Sequence, residues 1–456
     1  MINVTILGGW ILLGWILSRL IIRQDSFLEA LSIAFPLGAG IHTWALFLVS
    51  WAGLELNVAA VIGTYAALLL PAIILHLRMR RSDPRHRREG GDAAGTWLPL
   101  GVLAVLLVFG GYYAVGRSYW TWDAIAIWSI KGYGIALEGS IFAGEHWGAH
   151  ALSYPLNIPL MISVFRLLEG DILPGSKLIF PLFLASALLG CYVFWARRRV
   201  KTPVGILGMI LLGTTPIIFD HMTFGYANLP MTTYLVLGGL YALEGIDRSS
   251  SQWQVMSGLL LGLASWTRVD GFLYVTIVII GVISAWLICK QGSIRWLSWL
   301  LPGAFFIATW LAFFRIYGEA GSQAAGEYRK AIAMITQGEF RWSDLRLILG
   351  YARRALFNLG IWGLLFPAGI IVMLLGWKSS LEWRRLHILA PSIVCIGMGI
   401  LVVILFYLGS YSSSGLYGWL ERGFHRAFFP AAFFFIIMVM QGAGPLRDGM
   451  ASEERR

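Results

Sequence analysis

Residues 97–123 read WLPLGVLAVLLVFGGYYAVGRSYWTWD, an apolar run followed at once by a polar, aromatic segment with a single carboxylate, Asp123. An apolar run of about 20 residues is long enough to cross the hydrocarbon core of a bilayer as an α-helix. The stretch therefore predicts a membrane-spanning helix over 97–115. Because that helix ends just before Asp123, we expect Asp123 at the membrane surface, near the start of a long loop over 116–154.

The rest of the chain repeats this apolar character. Of its 456 residues, 58% are hydrophobic and 13% are charged, whereas soluble domains carry about 25% charged residues. The apolar runs are too long for membrane-barrel strands of about ten residues, so helices must satisfy the backbone in lipid. The composition predicts an all-α polytopic membrane protein with about 13 transmembrane helices. The predicted spans are 4–22, 28–51, 54–77, 97–115, 176–196, 203–219, 229–246, 253–268, 272–289, 296–316, 351–376, 387–408 and 428–444.

The basic residues indicate which side of the membrane each loop occupies. The net charge is +11, but the lysines and arginines stand in short blocks between apolar runs, as in 77–88 and 197–201. This pattern is typical of cytoplasmic loops, so we expect a topology signal and no nucleic-acid partner. Cys191, Cys289 and Cys395 are scattered inside apolar runs, which predicts neither a disulfide framework nor a zinc site.

The topology is consistent only if residues 155–169 do not cross the membrane. This run is too short to span comfortably, and a crossing would place the basic block 197–201 outside. We therefore expect an interfacial or partly re-entrant helix on the outer face, within an outer loop over 116–169. The chain then divides into N-terminal transmembrane helices with a basic cytoplasmic loop (1–96), a transmembrane core (97–445) and a cytoplasmic tail (446–456).

With this topology, the polar side chains suited to chemistry fall mostly on the outer face. Asp123 is the first of them, and Trp122 flanks it. A carboxylate in this position is a helix N-cap or a solvated loop residue on one interpretation, and a catalytic base at the membrane surface on the other. We favour the base, because cationic residues are predicted on the same side.

Two cationic groups share that face. Arg268 and Asp270 end a mostly apolar run, and an ionisable residue near the hydrocarbon predicts a functional partner. Arg422, His425 and Arg426 stand where an outer loop leads into the last predicted span. Because a guanidinium group binds two phosphate oxygen atoms at once, we predict phosphate binding by the arginines, with His425 as a helper. The alternatives are an arginine that snorkels to the interface and a salt bridge within the cluster.

Other polar residues are weaker candidates. Asp220 and His221 end a helix that runs from the inner to the outer face, where we predict a role in substrate binding or acid-base chemistry, with a capping turn as the alternative. His146 and His150 stand at i, i+4 without an HExxH pattern, so surface histidines are favoured over a metal site. We find no DxD motif on the outer face and no Walker A motif, which argues against a metal-bridged nucleotide-sugar donor and ATP-driven transport. We expect no cofactor and no required metal.

These elements, in this order, resemble the GT-C superfamily of integral-membrane glycosyltransferases, and are similar to protein O-mannosyltransferases and lipid A aminoarabinose transferases. The resemblance covers residues 97–445. It rests on the acidic residue of the first outer loop (Asp123), the proline-led helix after Tyr154, the basic residue after a glycine-rich helix (Arg268) and the arginine-rich segment 422–430. The chain departs from the family in having a lone acidic residue where relatives often have a pair, a Tyr-Pro-Leu loop signature, and three extra helices before the core.

The resemblance implies a polyprenyl-phosphate-linked sugar donor, an acceptor hydroxyl on a glycan, lipid or protein, and inversion at the anomeric carbon. It places the active site on the extracytoplasmic face of the cell membrane, expected to be a bacterial inner membrane, in glycan biosynthesis of the cell envelope. The expected roles are catalytic base for Asp123, donor-phosphate binding for Arg268, Arg422, His425 and Arg426, and substrate binding for Trp122, Tyr154, Asp220, His221 and Asp270.

Two other functions are compatible with the sequence. A glycan ligase that moves a preassembled chain would also use outer arginines. A transporter or flippase of lipid-linked substrates would place ionisable residues near the middle of the bilayer, whereas here they concentrate at one face.

Overall fold

The computed structural model describes residues 2–22, 26–82, 93–119, 121–145, 154–170, 174–317, 323–375, 385–411 and 416–443. In this part of the chain every regular element is helical and no strand is present. Among the same residues, nine helices are long and apolar enough to cross a membrane. A tenth span results when Thr202–Gly213 and Pro216–Phe224, which are bent by 59°, are counted as one. The prediction of an all-α, multi-pass membrane protein is confirmed.

The helices are numbered in chain order. The first ten are α1 (Ile2–Ile22), α2 (Phe27–Trp51), α3 (Val58–Ser82), α4 (Ala93–Gly116), α5 (Ile130–Glu138), α6 (Asn157–Glu169), α7 (Ile179–Arg197), α8 (Thr202–Gly213), α9 (Pro216–Phe224) and α10 (Asn228–Asp247). The next nine are α11 (Ser251–Ser265), α12 (Gly271–Cys289), α13 (Trp296–Tyr317), α14 (Gln323–Thr336), α15 (Trp342–Leu356), α16 (Leu359–Trp362), α17 (Leu365–Leu375), α18 (Leu386–Gly409) and α19 (Leu416–Gly442). A π-helical turn, Ala124–Ser129, precedes α5.

The predicted span 351–376 is not one helix. It is divided among the end of α15, α16 and α17. Asn358 caps α16, since its side-chain oxygen accepts a hydrogen bond from the Gly360 amide at 2.9 Å. Gly363 then adopts a φ of 53° and a ψ of −135°, a conformation outside the helical region that glycine adopts without steric cost.

Helix α10 is the centre of the bundle. Every residue from Asn228 to Ile246 is buried, and α10 contacts α2, α7, α9, α11, α12, α18 and α19. A helix surrounded by protein needs no continuous apolar surface, so polar side chains are tolerated on it. This explains why α10, predicted as the span 229–246, is not among the nine apolar candidates. Helix α11, predicted as 253–268, has 15 residues and is not among them either. The number of about 13 spans stays a prediction.

Helix α6 does not cross the bundle. Just before it, the Tyr154 ring packs against Trp128, with ring centres 5.6 Å apart. Just after it, Ser176 hydrogen-bonds to Tyr119 at 3.0 Å. Because Tyr119 and Trp128 stand on either side of Asp123 in the sequence, both flanks of α6 lie at the Asp123 end, as expected for a helix that lies along one surface.

The opposite end of the bundle holds a separate set of ion pairs. Arg197 pairs with Glu29, and Arg198 pairs with Glu244 at 2.9 Å and with Asp247 at 2.7 Å. Glu244 lies 16 residues (244 − 228) after the first residue of α10, which is about 24 Å along an α-helix. The basic block predicted to be cytoplasmic is therefore far from the start of α10.

Helices α1 and α2 approach closely because glycine stands on both sides of their crossing. A Cβ atom added at Gly14 would lie 1.8 Å from the Ala34 carbonyl oxygen, and one added at Gly38 would lie 1.9 Å from the Trp10 carbonyl oxygen. Small residues at such crossings allow the backbones of membrane helices to pack directly against each other. The N-terminal hairpin therefore depends on these two glycines.

We expect Gly14→Ala to destabilise the protein by about 1 to 3 kcal/mol, because extra atoms in a close-packed contact force the backbones apart. Gly8→Ala is the matched control, since it changes the same helix at a position with no neighbouring atom within 4 Å. Thermal unfolding of the purified variants in detergent measures the difference. Equal melting temperatures for the two variants would contradict the close crossing.

Candidate functional site

Asp123 lies where the chain leaves α4 and enters the π-helical turn, a feature often found at functional sites. The preceding segment is held by Lys177, whose Nζ donates hydrogen bonds to the carbonyls of Arg117 (2.6 Å) and Ser118 (3.2 Å). Asp123 itself has helical backbone angles, φ −62° and ψ −39°, and its side chain makes no capping hydrogen bond. The N-cap interpretation of Asp123 is therefore wrong.

The Asp123 carboxylate forms an ion pair with Arg426 of α19, between Oδ2 and Nη1. Both side chains are partly buried, with exposed fractions of 23% and 30%. Two further contacts orient Arg426. Its Nε donates a hydrogen bond to the Arg422 carbonyl at 3.0 Å, and its guanidinium carbon lies 5.3 Å from the centre of the Tyr226 ring. The structure thus brings the predicted base against one of the predicted cations.

Arg268 forms a second charged centre beside the first. Its Nε and Nη2 donate hydrogen bonds to the two carboxylate oxygens of Asp270 at 2.7 and 3.1 Å, and its Nη1 donates to Asn228 Oδ1 at 2.8 Å. Burial by itself lowers the pKa of Arg268, but the charge and hydrogen bonds of Asp270 outweigh burial and raise the pKa above its ordinary value. Asn228 Nδ2 donates to the Arg426 carbonyl at 3.2 Å, so one amide side chain links the two arginine-bearing segments.

These groups line one open cavity of about 730 Å³. Its charged wall also includes Arg422, and its apolar wall is formed by Leu405, Phe406 and Trp419 from α18 and α19. Arg422 Nε donates to the Gly418 carbonyl at 3.1 Å, and among the described residues Arg422 has no carboxylate partner. The cavity therefore offers two carboxylates (Asp123 and Asp270), three guanidinium groups and an apolar surface.

Six of the ten predicted site residues line this cavity. They are Trp122, Asp123, Arg268, Asp270, Arg422 and Arg426. Tyr154 lies just behind them: burial raises its pKa, and the charges of Arg268, Asp270 and Asp123 all act on it. The Lys131 ammonium group stands 5.6 Å from the centre of the Tyr154 ring, and burial lowers the pKa of Lys131 to about 7.

Besides Tyr154, three predicted residues are absent from the cavity lining. His425 is adjacent to Arg426 in sequence, but one residue turns an α-helix by about 100°, and its Nε2 lies 3.4 Å from Tyr351 Oη instead. The His221 ring is 2% exposed and stacks on Phe429, with ring centres 4.5 Å apart. Asp220 is an interior residue of α9. The predicted contacts of these three with phosphate or substrate are therefore not supported by the cavity's lining.

Tyr226 and Asn228 line the cavity but are not among the residues predicted from the sequence. A buried asparagine at the start of a helix inside the bundle is costly unless its amide is paired, and this is the signal in the sequence that points to Asn228. Tyr226 carries no comparable signal, because an aromatic residue in a turn at the membrane surface is common.

Two regions of interest lie outside the described residues: His146 with His150, and the tail 446–456. Within the described ranges, no group of three or more His, Cys, Asp or Glu side chains is placed to hold a metal ion. No protein-family model, curated protein or solved structure matches this chain. The functional conclusion therefore depends on the geometry of the cavity.

We expect Arg268→Lys to destabilise the protein by about 1 to 3 kcal/mol, the cost of losing hydrogen bonds to the buried Asn228 amide and the partly buried Asp270 carboxylate. Lysine keeps the charge but cannot bind both oxygens of Asp270 and reach Asn228 at once. Arg248→Lys is the control, because Arg248 makes one hydrogen bond to Glu244, at 2.9 Å, from a side chain that is 42% exposed. Thermal unfolding in detergent compares the two variants. A loss of stability in Arg268→Lys no larger than that in Arg248→Lys would show that the Arg268 contacts contribute little.

Proposed function

We propose that this protein is a membrane glycosyltransferase that moves a sugar from a polyprenyl-phosphate donor to an acceptor hydroxyl. The observation that carries the proposal is the shared cavity, where Asp123 lies against Arg426, with Arg268 and Arg422 on the same wall. Transfer from a lipid phosphate needs a base for the acceptor and cations for the phosphate, next to a surface that accepts a lipid. The charged wall of the cavity suits the base and the cations, and the apolar wall suits the lipid.

Asp123 is the proposed catalytic base. Its carboxylate accepts the proton of the attacking hydroxyl, and Arg426 orients it through the ion pair. The acceptor oxygen forms a bond to the anomeric carbon while the bond from that carbon to the phosphate oxygen breaks, through an oxocarbenium-like state. The lipid phosphate leaves with the electron pair, and Asp123 retains the proton. A single displacement of this kind inverts the anomeric configuration.

The arginines are the proposed electrostatic partners of the leaving phosphate. Fixed cations placed where negative charge develops lower the barrier to bond breaking. Arg422 is the most available of the three, because it has no carboxylate partner among the described residues. Arg426 keeps its ion pair with Asp123 and lines the same cavity, so its charge acts on the phosphate from beside the base. Arg268 is already committed to Asp270 and Asn228, so we assign it a supporting role deeper in the site.

The apolar wall is the proposed contact for the lipid. Leu405, Phe406 and Trp419 belong to α18 and α19, two helices with the length and composition of membrane spans. An isoprenoid chain that enters between lipid and protein would lie against this wall, with its phosphate toward Arg422. The basic block at the opposite end of the bundle favours an extracytoplasmic cavity by the positive-inside rule. This position suits transfer to a glycan, lipid or protein of the cell envelope.

Reconstituted vesicles test the proposal directly. The purified protein is supplied with polyprenyl phosphate that carries one radiolabelled sugar, together with a mixture of candidate acceptors, and the label is followed into the acceptor fraction. Transfer of a single sugar supports the proposed reaction. Transfer only of a preassembled glycan would identify a ligase, and movement of label across the bilayer without a new bond would identify a transporter, so either result would overturn the proposal.

A further inference from the structure

Helix α15 packs on the protein with one face and exposes the other. Ile348 and Ala355 are buried, and Tyr351 lies 3.4 Å from His425 of α19. These three positions follow the i, i+3, i+7 spacing of one helix face, and α15 contacts α18 and α19. Helix α15 therefore packs against the cavity end of the bundle with its inner face, whose side chains contact α18 and α19.

The opposite face of α15 alternates apolar and cationic side chains. Trp342, Arg346, Leu349 and Arg353 follow the i, i+4, i+7, i+11 spacing of a single stripe. Trp342 is 63% exposed and Leu349 is 51% exposed, and both arginines are exposed. Neither arginine has a carboxylate partner among the described residues. The solvent-facing side of a surface helix is usually charged or polar, whereas this stripe exposes a tryptophan and a leucine beside its two arginines.

The start of this stripe is fixed at the end of a spanning helix. Arg341, the residue before α15, donates a backbone hydrogen bond to Tyr407 Oη at 3.0 Å, and its Nη1 donates to the Ser410 carbonyl at 2.8 Å. Tyr407 and Ser410 lie at the C-terminal end of α18. Phe340, 52% exposed, stacks on Trp342 with ring centres 5.9 Å apart. An exposed aromatic pair is thus held at the level where a membrane span ends.

We propose that the α15 stripe binds the headgroups of anionic lipids in the leaflet on the cavity side. Arginines near a membrane surface are attracted to anionic headgroups, while tryptophan and leucine enter the boundary between headgroups and acyl chains. A soluble anionic polymer would be recognised by the arginines but would leave Trp342 and Leu349 in water. The proposal is independent of glycosyl transfer, since the stripe is separate from the cavity lining.

A fluorescent label on α15 tests this proposal with the full chain. Ser343, on the exposed side, is replaced by Cys and labelled with a polarity-sensitive dye, after Cys289 and Cys395 are replaced by Ala; Cys191 is buried. The detergent-purified protein is titrated with phosphatidylglycerol or with phosphatidylcholine. We expect the fluorescence to rise with phosphatidylglycerol at concentrations where phosphatidylcholine has little effect.

Variants of the two arginines supply the matched comparison. R346Q/R353Q is expected to weaken the apparent affinity for phosphatidylglycerol by about fivefold per arginine removed, while R346K/R353K, which keeps the charge, retains it. Equal responses to both lipids, or an unchanged response in the glutamine variant, would overturn the proposal. A response to dextran sulfate but not to phosphatidylglycerol would identify a soluble polyanion as the partner instead. The comparison of phosphatidylglycerol with phosphatidylcholine uses the labelled protein without arginine substitutions, so it still tests the proposal if an arginine variant fails to fold.

Discussion

Asp123→Asn is expected to abolish sugar transfer, with a fall in kcat of about two to four orders of magnitude, the usual contribution of general-base catalysis. Asparagine retains the shape of the side chain and one oxygen that can accept a hydrogen bond from Arg426, so the cavity is preserved while the proton acceptor is lost. Expression and donor affinity are expected to be retained. The measurement is the rate of single-sugar transfer in vesicles at saturating donor.

Asp344→Asn is the matched control for this variant. Asp344 also pairs with an arginine, Arg341 at 3.8 Å, and its side chain is 26% exposed against 23% for Asp123. It lies on α15, outside the cavity lining, so its loss is expected to leave turnover unchanged. Turnover close to that of the unaltered protein in Asp123→Asn would dismiss Asp123 as the base.

Arg422→Gln is expected to weaken donor binding by about ten- to a hundredfold, the range for a hydrogen bond to a charged group. Because Arg422 has no carboxylate partner among the described residues, the substitution leaves no charge unpaired and stability is expected to be unaffected. The effect should therefore fall on the KM for the donor, or on its Kd in a direct binding measurement. Arg315→Gln, at an exposed position outside the cavity lining, is the control.

Arg426→Gln is expected to behave differently, because it also removes the partner of Asp123. Both kcat and donor affinity should fall, and the double variant Asp123→Asn/Arg426→Gln should lose less than the sum of the two single losses, as groups that act together do. Additive losses would show that the ion pair has no part in the reaction. Unchanged donor affinity in both arginine variants would dismiss the phosphate contact altogether.

Helix positions were predictable where hydropathy is strong and local. The predicted spans 296–316 and 387–408 correspond to α13 (Trp296–Tyr317) and α18 (Leu386–Gly409), because a long apolar run in lipid must pair its own backbone. The prediction of one helix over 351–376 was wrong for an equally local reason. Asn358 and Gly363 interrupt an apolar run that looks continuous by composition alone.

The candidate site was predictable only in part. Asp123, Arg268 and Arg426 were expected on one side because the topology indicated by the basic blocks places their loops on the outer face. His425 was expected with them because it is adjacent in sequence, yet the rotation of a helix by about 100° per residue directs it elsewhere. Asn228 joins the site through contacts with Arg268 and Arg426, and no sequence pattern specifies which side chains a buried amide will pair with.

From the order of amino acids it could be predicted that this chain crosses a membrane repeatedly as helices and that its ionisable side chains gather toward one surface. Both properties follow from hydropathy and charge within short segments, which act locally. The folded chain was needed to show that Asp123 contacts Arg426, 303 positions away, and that an apolar wall from α18 and α19 completes their cavity. Such contacts depend on how whole helices pack and rotate against one another. A short segment of sequence does not specify that packing.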